Sequence, residues 1–174
     1  MFQPFEKPMF DLLRRRCEEF AAKVQPTNIY SEDNVNAERV FNHIVKGKMG
    51  EFYMALHLDK YGECSLPDLR IYPAKDKSYD ADLQLNGTDV HCKTTCRESA
   101  RRFGEAWAFN HNDPLIRDPG DALVCLCTID MNTGKAQIYG PFLAADIIPC
   151  LEPQTADQKK ARKRILRKKN IPFL

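Results

Sequence analysis

Apolar positions along this chain recur first at helical spacing and then, from about residue 69 onward, at strand spacing. Phe10, Leu12, Leu13, Cys17, Phe20, Ala21 and Val24 alternate with Arg14, Arg15, Arg16, Glu18 and Glu19. That spacing predicts an amphipathic helix over residues 8–23, ended before Pro26. After a polar connection, Ala37, Val40, Phe41, Ile44 and Val45 form a second helical stripe with Ser31 or Asn34 as its cap. Gly47 and Gly50 interrupt it, and helical spacing resumes over residues 51–58. Further on, residues 69–72 read as a first strand and 123–129 as an apolar strand buried on both faces. Trp107 and Phe109 alternate with small residues before a turn at 110–114. Residues 136–140 read as another strand, 141–148 as a short helix, and 157–169 as a basic, helix-prone tail. The expected fold class is α/β: a central mixed sheet flanked by helices.

The sharpest local signal is Asn86-Gly87, because a type I′ hairpin turn needs φ > 0 at both central residues. With those two residues as the loop, Leu85 pairs with Thr88, Asp82 lies across from His91, and Asp80 across from Lys93. Strand alternation then gathers Asp80, Asp82, Gln84, Asp89, His91 and Lys93 on one face. Ala81, Leu83, Leu85, Val90 and Cys92 fill the other. Acids facing an ammonium can hold a divalent cation beside a water or a phosphate. The same residues can also form ordinary cross-strand ion pairs.

Glu51 is the other unusual position. It shares a helical face with Met54, Ala55 and Leu58, so its carboxylate points toward apolar neighbours, where an unpaired charge is costly. Either a nearby Lys or a metal ion resolves that conflict.

Charge adds a partner class. The net charge of +2 hides eight Lys/Arg and one acid from residue 157 onward, which leaves the body near −5 by difference. A basic segment on an acidic body points to a polyanion. Seven cysteines without CxxC spacing read as buried free thiols of a reducing, cytoplasmic compartment. The start of the chain lacks signal-peptide character, and no apolar run approaches the ~20 residues of a membrane span.

Gly50-Glu51 on a helix, Asp82 on a strand, and His91-Cys92-Lys93 on the next strand together resemble the PD-(D/E)xK superfamily of metal-dependent nucleases. The resemblance spans residues 46 to about 148 and implies a restriction-endonuclease-like core. Residues 1–35 would be a helical extension, 36–150 the catalytic core and 151–174 a basic tail. It further implies that Asp82 and Glu51 hold Mg²⁺ or Mn²⁺, with the Cys92 carbonyl as a further ligand, and that Lys93 positions the hydrolytic water. Asp80 competes with Asp82 for the metal, and Asp89 can approach from the same face. His91 departs from the family pattern by standing where the second acid belongs. The expected activity is endonucleolytic cleavage of DNA, with RNA also open and a homodimer allowed. Phosphate contacts are expected from Lys46, Lys48, Arg97, Arg101 and Arg102, and from the tail residues Lys159, Lys160, Arg162, Lys163, Arg164, Arg167, Lys168 and Lys169. The competing expectation is an inactive protein of the same fold that binds nucleic acid or a protein partner.

Overall fold

A computed structural model describes residues 5–24, 37–71, 81–157 and 163–174. Helix α1 spans Lys7–Lys23 and α2 spans Ala37–Leu58. The hairpin strands β1 (Leu83–Leu85) and β2 (Thr88–Cys96) follow, then α3 (Arg97–Phe103), β3 (Ala106–Asn110) and α4 (Pro114–Arg117). Strands β4 (Leu123–Asp130) and β5 (Lys135–Leu143), α5 (Ala144–Ile147) and β6 (Lys163–Arg167) complete the described α-helices and strands.

The central sheet is mixed, in the order β1-β2-β4-β5: β2 runs parallel to β4, and the two outer pairings are antiparallel. Strand β4 explains its own continuous apolar run. Its alternate side chains Cys125, Cys127 and Ile129 join one core with Met49, Tyr53, Met54 and Leu58 of α2 and with Phe10 and Cys17 of α1. Val124 and Leu126 point the other way, into a second core with Trp107, Phe109, Ile147 and Leu166. The parallel sheet strand is therefore apolar on both faces. The Trp107 indole donates to the Cys127 carbonyl at 2.9 Å, satisfying its buried N–H across the second core.

The hairpin register is the expected one, with Leu83 opposite Val90 and Leu85 opposite Thr88. Asn86 and Gly87 carry φ of 50° and 81°, the left-handed conformation that the type I′ turn demands. The sheet's β1 edge departs from expectation. Residues 69–71 form no strand, and Tyr72 lies outside the described residues. Instead the Asp68 carboxylate accepts from the backbone N–H and guanidinium of Arg70, a local alternative to a ladder. Cys64, not the 69–72 stretch, bridges to Leu85.

Other corrections follow from long-range packing. Helix α2 runs through Gly47 and Gly50 without interruption. Strand β2 continues to Cys96 before the basic connection becomes α3, and β5 extends to Leu143, leaving α5 only four residues. The expected basic helical tail instead contains β6, which pairs antiparallel with β3 and buries Leu166 completely. The proposed caps Ser31 and Asn34, and Asp80, lie outside the described residues. Among the described residues, no helix is long and apolar enough to cross a membrane.

Gly50 sets the distance between α2 and β2. A methyl group at this position would overlap the Thr94 side chain, so only hydrogen lets the helix lie this close to the strand. Gly50→Ala is expected to destabilise the fold by about 1–3 kcal/mol through overpacking. Shortening the obstructing side chain with Thr94→Ala should recover part of that loss in the double variant. Urea unfolding of the two single variants and the double variant measures the coupling.

Candidate functional site

The close approach at Gly50 and Thr94 carries the next residue, Glu51, to the sheet beside Cys92 and Lys93. Glu51 is 7 % exposed, on the same helical face as the buried Met54, Ala55 and Leu58. Lys48, one turn earlier, donates from Nζ to Glu51 Oε2 at 2.7 Å. Its Nζ also lies over the Phe20 ring, 5.6 Å from the centroid. Lys48 was expected among the phosphate contacts; its ammonium is committed to Glu51 and mostly buried. Even with that partner, the Glu51 carboxyl is pushed up to about 7. Burial is the main cause and the nearby Asp82 charge adds to it, while Lys48 and Lys93 pull the other way.

Asp82 sits just before β1, and continuing the hairpin register sets it across from His91. Its carboxylate turns back toward β2: Oδ2 accepts from the Cys92 backbone N–H at 2.7 Å. That bond continues the hairpin beyond the last ladder pair, so the turn at Asn86 ultimately positions the acid. Cys92 is held as the neutral thiol, its pKa raised by burial and by the Asp82 charge. His91 is held toward the neutral imidazole by burial and by Lys93, against the opposing pull of Asp82, Asp113 and Asp89. Position 91 thus presents an uncharged ring at neutral pH.

Lys93 is fixed from two sides. Its ammonium lies 3.6 Å from Asp113 Oδ2 and 5.2 Å from the centroid of Phe109 on β3. Asp113 is 6 % exposed, and its Oδ1 accepts from the Leu115 N–H at 3.1 Å as the cap of α4. Reading the sequence by turns missed Asp113. The signal was present in Asp113-Pro114, an N-cap residue followed by proline at the first helical position. What the sequence does not contain is the cross-sheet contact that gives this cap a second role.

Glu51 is therefore within electrostatic reach of Asp82 and Lys93, and His91 of the same two, but the contacts divide into a Glu51–Lys48 pair and a Lys93–Asp113 pair. Among the described residues, no three His, Cys, Asp or Glu side chains are grouped to hold a metal ion. The donor chemistry nevertheless fits a hard cation in part. Two carboxylates whose charges oppose each other meet beside β2, and Glu51 binds its proton more tightly because of Asp82.

The expected phosphate contacts scatter. Lys46 is half-buried, and its charge bears on Cys96 and His43. Arg97 lies 3.8 Å from Asp130. Arg101 and Arg102 are exposed at the end of α3. In β6, Lys163 pairs with Asn110 through the backbone ladder, and the Arg164 guanidinium donates to the Glu152 carbonyl at 3.3 Å. Arg167 bonds the Glu152 carboxylate at 3.0 Å, Lys168 bonds the Tyr139 hydroxyl at 2.7 Å, and Lys169 is exposed. Lys159, Lys160 and Arg162 lie outside the described residues.

A comparison with known proteins finds no matching family model, no matching curated protein and no matching solved structure.

The raised Glu51 carboxyl makes a stability prediction. Its contribution is fully present below the ordinary carboxyl pKa of 4.5 and is lost as pH rises through about 7, because the unfolded chain releases the proton first. The loss should be on the order of 3 kcal/mol by pH 8. Glu51→Gln has no proton to release, so its stability should not show this decline. Urea unfolding across the pH range compares the two; parallel curves would contradict the raised carboxyl.

Proposed function

We propose that this chain is a divalent-metal-dependent nuclease with a restriction-endonuclease-like core, cleaving phosphodiester bonds in DNA. The observation that carries this reading is the proximity of two opposed acids, Glu51 and Asp82, beside β2, with the Lys93 charge also bearing on Glu51. Such a group is costly without a counter-charge and useful with one. Glu51 and Asp82, with the Cys92 carbonyl, are the groups that would hold Mg²⁺ or Mn²⁺. The ion supplies positive charge that neutralises the scissile phosphate and acidifies a water.

The chain's own residues supply the rest. Hydrolysis joins a water oxygen to phosphorus and breaks the phosphorus–oxygen ester bond, leaving a phosphate monoester and a free hydroxyl. Lys93, held on Phe109 and by Asp113, offers a preorganised ammonium to orient the water or to meet the charge that develops on phosphate. Neutral His91 offers a ring nitrogen as a supporting ligand or a hydrogen-bond partner. Asp82, fixed by the Cys92 N–H, needs little reorganisation to act.

A second reading is a nuclease-fold module that binds nucleic acid without cutting it. It is favoured by the imidazole in the second-acid position and by the engagement of Lys93 with Asp113. Incubation with supercoiled plasmid in Mg²⁺, Mn²⁺ and EDTA separates the two readings. The nuclease reading expects metal-dependent cleavage that Asp82→Ala and Lys93→Ala each reduce at least about 100-fold, roughly 2.7 kcal/mol of barrier, with binding retained. His91→Ala should cost less. If Asp82→Ala cuts as well as wild type, the site is wrong; if wild type never cuts, the binding reading takes its place.

A further inference from the structure

Two basic runs far apart in sequence meet at one surface. Arg101, Arg102 and Phe103 close α3, while Arg167, Lys168 and Lys169 end β6 and follow it. The Arg167 guanidinium donates to the Phe103 carbonyl at 2.8 Å, and the Lys168 backbone N–H donates to the Glu105 carbonyl at 3.0 Å. Between these segments opens a cavity of about 470 Å³, whose lining includes Phe103, Glu105, Arg167, Lys168 and Lys169. That volume lies within the usual range of ligand sites, roughly 300–1,000 Å³.

The groups around the cavity divide into fixed and free. Arg167 is held by Glu152, and Lys168 by the Tyr139 hydroxyl and by Glu105 at 3.1 Å. They form a fixed wall of ion pairs, so the unpaired positive charge beside the cavity comes from other residues. At the rim, Lys169 and Arg102 are exposed, and the Phe103 ring is 63 % exposed with the Arg102 guanidinium 5.0 Å from its centroid. Arg102 lies over the ring, and the ring surface that stays exposed beside these cations suits a ligand that is both flat and anionic. Nucleobases provide the flat face and phosphates the negative charge, and a base stacks on a side chain freely only where the strand is unpaired.

We infer that this surface binds single-stranded nucleic acid, with a base stacked on Phe103 and backbone phosphates beside Arg102 and Lys169. The inference rests on the nucleic-acid reading above and narrows its substrate class. The surface also stands apart from the candidate catalytic residues. Arg167 pairs with Ala106 at one end of β3, whereas Asp113 follows Asn110 at the other, about 13 Å away along the strand at ~3.3 Å per residue.

Fluorescence anisotropy of the full chain in EDTA, with a labelled oligothymidylate and a duplex of the same length, tests the site without cleavage. Wild type should bind the single strand, and Phe103→Ala should weaken that binding about tenfold, the scale of one stacked base. Duplex binding should not change, and Phe103→Tyr should keep wild-type affinity. The double change Arg102→Ala with Lys169→Ala should make binding less salt-dependent, because fewer counterions are released. Phe103 is exposed, so its removal should leave the melting temperature unchanged. The inference is overturned if Phe103→Ala binds oligothymidylate as wild type does, or if polyglutamate displaces the strand at equal charge. It is also overturned if the chain cuts plasmid yet does not bind the single strand, an outcome that leaves the nuclease reading standing.

Discussion

The contact between Gly50 of α2 and Thr94 of β2 is the constraint on which the rest of the arrangement depends. Helix α2 contributes Met49, Tyr53, Met54 and Leu58 to the core beneath the sheet, and a wider gap would leave those side chains poorly packed. The same approach brings Glu51 within reach of the charges on Asp82 and Lys93. Packing and site geometry are thus a single requirement. A small residue at position 50 satisfies both, at the entropic cost of glycine within a helix.

Electrostatics at the site follow from this placement. Burial alone penalises the Glu51 carboxylate, and Lys48 offsets only part of the penalty. Asp82 adds an opposing charge while its own carboxylate is fixed by a backbone N–H. On the other side of β2, Lys93 is drawn toward Asp113 and Phe109. Acids and ammonium are therefore preorganised but separately partnered. A cation between the carboxylates would release Lys48 from its compensating role and favour the ionised form of Glu51.

How much of this could be read from sequence depended on the range of the interactions. The hairpin register was legible because Asn86-Gly87 specifies one turn type, and a two-residue loop leaves one pairing. The inward Glu51 was legible because helical spacing is local. Strand β6 was not, since Lys163-Arg164-Ile165-Leu166-Arg167 has the composition of a solvated helix. Only its distant partners Glu152, Phe103 and β3 make it a strand. Residues 69–71 failed in the opposite sense: their apolar character suggested a strand, but Asp68 captures the backbone of Arg70. Asp113 was read only as part of a turn and was invisible as the partner of Lys93, because that pairing crosses from β2 to the end of β3. The nuclease reading itself draws on a resemblance of arrangement, the order of Gly50-Glu51, Asp82 and His91-Cys92-Lys93 along the chain.

The most direct measurement is anomalous diffraction from crystals soaked in Mn²⁺. A metal site at Glu51 and Asp82 should give a single strong peak with carboxylate oxygens of both residues within roughly 2.0–2.4 Å, and with the Glu51–Lys48 bond lengthened or broken. A structure with no peak there, and with the Glu51–Lys48 and Lys93–Asp113 pairs unchanged, would contradict it.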